Sequence, residues 1–203
     1  DTVFGGQENL RQGICNVAAG YAPHMIGVAT TCLAETIGED LSAMLRRVRE
    51  VGSCTGTAPG DNLGTMLPPL VDVSTPSYAG THADGFHAAV CSVIDHLVAQ
   101  CSSRQQDDEV LLLPGIVSAA DLRHLKELLA TFGLRGIVLP DYSESLDAGA
   151  EAVYRKLRPG GTPLRSIWQA GCCQAAVTLG GLVSPLVRTG QGHPDLLGHR
   201  SRE

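Results

Sequence analysis

Apolar residues recur along the chain in two alternating rhythms. Leu10, Ile14 and Val17 stand four and three apart, which predicts a helix over 7–19. Gly20 is placed to end it, and Pro23 cannot continue it. The run His24-Met-Ile-Gly-Val-Ala-Thr30 predicts a short strand. Helical spacing returns with Leu41, Met44, Leu45 and Val48, predicting a helix over 35–50 with Arg46, Arg47 and Arg49 on its solvated face. Residues 52–67 are rich in Gly, Thr and Pro and read as a loop, long enough to be either functional or mobile.

Further along, a strand over 68–74 leads to a helix over 83–100 and a polar connector over 105–109. Val110-Leu-Leu-Leu-Pro114 reads as a buried strand. Ser118 is a good N-cap for a helix through Phe132, with Gly133 as its stop and Leu122, Leu125, Leu128 and Leu129 on its core face. Another strand over 135–140, a loop over 141–149 and a final helix–strand unit over 162–179 complete the pattern. Strands alternating with amphipathic helices make this an α/β chain with parallel sheets flanked by helices. A change of composition near Gln105 separates a first domain, 1–105, from part of a second, 106–187. Residues 188–203 lack periodicity and read as a disordered or non-family tail, with His193 and His199 as tail residues rather than ligands.

The bulk composition narrows the function classes. A chain of 203 residues with 43% hydrophobic and 18% charged residues has a globular composition. A net charge of -6 provides no basic footprint for nucleic acid. No apolar run approaches the roughly 20 residues of a membrane helix, and no signal-peptide pattern opens the chain. Seven cysteines, at 15, 32, 54, 91, 101, 172 and 173, form an odd set without a CxxC pair. A disulfide framework is therefore not expected, and a reducing cytoplasm suits the composition. Cys15 and Cys91 fall within helical patterns and read as core. The adjacent Cys172 and Cys173 point in different directions and make a poor ligand pair.

Candidate chemistry concentrates at Cys32 and Ser77. Cys32 follows an apolar strand where a helix begins, and ligands in open α/β sheets bind outside the carboxyl ends of strands. A helix N-terminus there favours a thiolate. The alternative is an ordinary buried cysteine. Ser77 follows Pro76 after the next strand; a serine so placed also makes turns or caps helices. Glu35, Glu39 and Asp40 suit the positive end of a helix dipole and read as stabilising. Gly5-Gly6 permits close backbone approach but lacks a dinucleotide fingerprint.

Three strings carry a family resemblance: Val3-Phe4-Gly5-Gly6-Gln7-Glu8-Asn9-Leu10, then Thr30-Thr31-Cys32-Leu33-Ala34-Glu35-Thr36-Ile37-Gly38-Glu39-Asp40, then Ser74-Thr75-Pro76-Ser77-Tyr78-Ala79-Gly80-Thr81-His82 with Gly85-Phe86. In this order they resemble nitrogenase component 1, a family containing the catalytic molybdenum–iron protein and its cofactor-assembly scaffold. The resemblance implies Rossmann-like parallel sheets of the nitrogenase component 1 type, present here in part: the chain reads as a fragment. It also implies cofactor-binding positions at Cys32 and Ser77, with Cys32 the metal ligand.

The implied cofactor is an iron–sulfur cluster at a subunit interface, a [4Fe–4S] cluster in the scaffold or the P-cluster in the catalytic β chain. An iron–molybdenum cofactor precursor would be held mainly by the partner. Implied partners are an α-like scaffold subunit in a heterotetramer and the nitrogenase iron protein, with no nucleic acid and no membrane. Leu139-Pro140-Asp141-Tyr142-Ser143-Glu144-Ser145-Leu146-Asp147, and Phe86 where the catalytic chain usually has Trp, lean toward the scaffold's β-like subunit. That reading expects no turnover of the chain's own. The alternatives are the catalytic β chain and a non-functional fragment of either.

Overall fold

The computed structural model describes residues 6–54, 65–98, 106–149, 153–156 and 160–180. The chain divides into two compact units, Asp1–Ser92 and Val93–Glu203. The expected tail over 188–203 lies outside the described residues.

The first unit opens with α1 (Gln7–Tyr21), two residues longer than the periodicity predicts. Gly20 lies inside it. The helix stops instead at Ala22, whose left-handed backbone (φ 45) turns its N–H onto the Ala18 carbonyl, just before Pro23. Ile14, Cys15 and Ala18 are buried, whereas Val17 is exposed. After β1 (Ile26–Ala29), the single helix expected over 35–50 is two helices, α2 (Cys32–Thr36) and α3 (Leu41–Val51). Gly38 between them takes φ 74, which ends the first. Asp40 then caps the second by accepting from Ala43 N at 2.8 Å.

Residues 52–67 are not wholly a loop. β2 (Ser53–Cys54) pairs antiparallel with β3 (Thr65–Met66), the residues between lying outside the described set. β4 (Leu70–Val73) then pairs in parallel with β1, Ile26 opposite Leu70 and Ala29 opposite Val73. Ile14, Ala18, Ile26, Leu45, Val48 and Leu70 form the core beneath this pair. Arg49 belongs only partly to the solvated face: its guanidinium donates to the Leu70 carbonyl at 2.9 Å and to Asp72 at 3.1 Å.

The cysteines correct the sequence expectation. Cys15 and Cys54 are joined in a disulfide, their Cα atoms 5.5 Å apart, and Cys172 is disulfide-bonded too. Linear spacing hides this pairing, because it is the return of β2 onto α1 that brings Cys15 and Cys54 together. The cysteine-based argument for a reducing compartment loses its premise.

α4 (His82–Leu97) follows β4. In the second unit, β5 (Gln106–Leu113) starts earlier than its apolar part predicts. The expected polar connector is largely strand, its Asp108 ion-paired with Arg135 at 2.9 Å and its Glu109 paired in register with the same residue. α5 (Ala119–Thr131) carries the expected Ser118 cap as a reciprocal capping box with Asp121. Parallel strands β6 (Arg135–Val138) and β7 (Cys173–Thr178) flank β5, giving the order β6-β5-β7, with α6 (Leu164–Gln169) before β7. Leu122 is fully buried against Leu112 and Val138, with Leu125 and Leu129 beside it. Leu128, expected in the core, is exposed. Among the described residues no helix is long and apolar enough to cross a membrane.

Candidate functional site

The site lies where β1 and β4 end together. Past the paired strands, Thr30 N still donates to the Val73 carbonyl at 3.1 Å. The two chain segments then interlock. Thr75 N donates to Thr30 Oγ1 at 2.8 Å, and Thr75 Oγ1 donates to the Thr30 carbonyl at 2.9 Å. Thr30 Oγ1 donates in turn to Glu35 Oε1 at 2.5 Å, and Ser74 Oγ donates to that same oxygen at 2.5 Å. Hydrogen bonds from Ser74 and then Thr30 hold the Glu35 carboxyl below its ordinary value, against a smaller upward push from burial.

Cys32 is the first residue of α2, not a residue before a long helix. Thr31 caps it by accepting from Ala34 N at 3.4 Å, and Thr36 Oγ1 donates to the Cys32 carbonyl at 2.7 Å. With five residues, α2 offers little macrodipole to the thiol, so the expected help from a long helix is absent. Cys32 is not a core cysteine either: its thiol is free and exposed.

Ser77 sits in the turn after β4 and is exposed. It borders a cavity of about 440 Å³ together with Ser74, Thr75, Thr81, His82 and Asp84. Cys32 does not line that cavity. The fold therefore brings Cys32 and Ser77 to the same end of one parallel strand pair, on separate segments. Thr81 opens α4 in a reciprocal cap: Thr81 N donates to Asp84 Oδ2 at 2.6 Å, and Asp84 N donates to Thr81 Oγ1 at 3.3 Å. These Thr81 contacts, the backbone bond first, keep the Asp84 carboxyl below its usual value.

Among the described residues, no three His, Cys, Asp or Glu side chains converge as a metal site. An iron–sulfur cluster takes several thiolates. One exposed thiol and one hydroxyl fit such a cluster only as contributors to a shared site. Cys173 is a poor further ligand. Burial first, and the charge of Glu109 second, push its thiol up to about 11.

Sequence reasoning missed the role of Glu35. It read as a dipole partner but acts as the acceptor joining both segments. The signal was local: Thr30 and Ser74, two hydroxyl residues, each end an apolar strand pattern.

The nitrogenase molybdenum-iron protein beta chain of Clostridium pasteurianum is 30% identical over 185 residues, 91% of this chain and 38% of that protein. The nitrogenase iron-molybdenum cofactor biosynthesis protein NifN of Mesorhizobium japonicum is 30% identical over 182 residues, 88% of this chain and 37% of that protein. The solved structure of nitrogenase Cp1 at pH 6.5 superposes with a TM-score of 0.78 at 29% identity, covering 93% of this chain and 38% of that one. The chain thus spans about two fifths of the length of these relatives. The family described as nitrogenase component 1 type oxidoreductase matches residues 1–188, and the chain belongs to that family.

Proposed function

We propose that the chain serves in the β-like subunit of the iron–molybdenum cofactor assembly scaffold, working in the cytoplasm beside an α-like subunit in a heterotetramer. The observation that carries this reading is the free, exposed thiol of Cys32 at the carboxyl end of β1, with no ligand set converging on it among the described residues. Such a thiol suits a cluster shared across a subunit interface. Cys32 would supply a thiolate and Ser77 an oxygen to that cluster, and the partner would hold most of the cofactor precursor. The cluster, when bound, supplies electron-transfer capacity; this chain's own part is to hold a ligand and present an interface to the iron protein.

The choice of scaffold over catalytic chain rests on the string Leu139 to Asp147. Its segment is built as a pinned loop after β6: Arg123 donates to the Ser143 carbonyl at 2.5 Å and to Asp147 at 2.8 Å. Lys126 bridges Asp141 at 2.8 Å and Ser143 at 3.0 Å. The catalytic β chain is the second reading, since the Thr-Thr-Cys string resembles that chain too and Cys32 does not separate the two.

Anaerobic co-production with partners tests both. Offered the scaffold's α-like subunit and the catalytic α subunit together, the chain should co-elute with the former and carry iron. Cys32→Ala should lower that iron while leaving the circular dichroism spectrum unchanged. Pairing with the catalytic subunit would select the second reading. A stable, iron-free monomer would sink both.

A further inference from the structure

We propose that Glu35 is a positioning residue, its carboxylate fixing the segment that carries Cys32 against the loop that carries Ser77. The role assigned to that contact rests on the reading of Cys32 and Ser77 as cluster ligands; the positioning itself rests on the hydrogen bonds.

Apolar packing does little to hold α2 in place. The helix has no buried residue, and Leu33 and Ile37 on and beside it are 54% and 44% exposed. Apolar burial, the usual anchor of a helix, is therefore weak here. Polar contacts take its place. In its last turn, Glu35 Oε1 accepts from Thr30 Oγ1, just past β1, and from Ser74 Oγ, just past β4. Just beyond its end, Glu39 Oε1 accepts from Gly6 N at 2.8 Å.

The proton directions require an acceptor at Glu35. Thr30 Oγ1 already accepts from Thr75 N, so its single proton is free to go to Glu35. Ser74 brings a second proton to the same oxygen. A carboxylate oxygen takes both; a hydroxyl at this position would bring a proton of its own, and an apolar side chain would leave both donors without this acceptor. Thr75 sits in the same interlock, two residues before Ser77. One oxygen thus ties the helix that carries Cys32 to both strand ends, the second of which leads to Ser77, in the way outer contacts orient metal ligands.

The test compares Glu35→Ala, Glu35→Gln and Ser74→Ala by amide hydrogen exchange and by iron content and the cluster's paramagnetic signal in the complex with the α-like subunit. Glu35→Ala should speed exchange in residues 32–37 at least about fivefold while leaving α3 and β5 unchanged. Glu35→Gln keeps an oxygen acceptor and should restore most of the protection. Ser74→Ala should show the same pattern at smaller size, and it carries the test if Glu35→Ala does not fold. Unchanged exchange in 32–37, or equal loss in Gln and Ala, would overturn the proposal. If exchange responds as expected while Cys32→Ala leaves iron untouched, positioning stands and the ligand reading of Cys32 fails. If both hold, Glu35→Ala should also perturb the paramagnetic signal, with Glu35→Gln restoring it.

Discussion

Cys15 on α1 and Cys54 on β2 are bonded to each other across 39 residues of chain. The contact straps the hairpin base to the helix that contributes Ile14 and Ala18 to the core. Closing a loop of that length in the unfolded chain is worth up to about 4 kcal/mol in the chain-entropy view. The double variant Cys15→Ser with Cys54→Ser should therefore lose about 2–4 kcal/mol in urea unfolding under non-reducing conditions. An unchanged unfolding midpoint would count against the strap.

Two glycines should respond to alanine with opposite signs. Gly38 takes φ 74, and a Cβ there would meet nothing within 4 Å, so the cost is conformational alone. Gly38→Ala should destabilise by about 1–2 kcal/mol. Gly13 lies in α1, its Cβ direction equally open. Gly13→Ala should stabilise by about 0.5–1 kcal/mol, because it restricts the unfolded chain and favours the helix. Thermal unfolding of the two variants side by side reads the difference.

On α5, four leucines share a predicted face, and the structure separates two of them sharply. Leu122 is 0% exposed and Leu128 is 42% exposed. Leu122→Ala should cost about 2–5 kcal/mol through lost transfer and an unfilled cavity. Leu128→Ala should stay within about 0.5 kcal/mol, as surface changes do. Similar losses for the two in urea melts would contradict the orientation of the helix.

Acid should loosen the second unit through Asp141. Burial pushes its carboxyl up, but the bonds from Lys126 and Ser143 outweigh that, and the net shift is downward. A carboxylate lowered in the folded state contributes stability that is complete above the unfolded value, about 3.9, and is lost as pH falls through the folded value. Unfolding midpoints should therefore hold between pH 7 and 5 and fall below about 4. Asp141→Asn should flatten part of that fall. An identical acid limb in the variant would remove Asp141 as its source.

Local pattern alone determined much of this protein. The strands at Ile26, Leu70, Val110 and Arg135 and the Ser118 cap were legible because each depends on near neighbours and on a period of 2 or 3.6. The ordered strings around Gly6, Cys32 and Ser77 were enough to indicate the family, since they are short and contiguous. Gly38 as a helix break was visible in principle, yet the helix marked by Leu41 to Val48 was carried back across it to Glu35, merging two helices.

Tertiary structure decided the rest. Whether Leu128 or Leu122 faces the core depends on how α5 rotates over β5 and β6, which small differences in packing set. The polar start of β5 is a strand because Asp108 and Glu109 meet Arg135 on β6, a partner 26 residues or more away in sequence. The Cys15–Cys54 bond exists only once β2 returns onto α1, and the contact of Glu35 with Ser74 only once β4 lies beside β1. Periodicity reports which face of an element is apolar; it carries no record of which distant hydroxyl or sulfur that face will bring near.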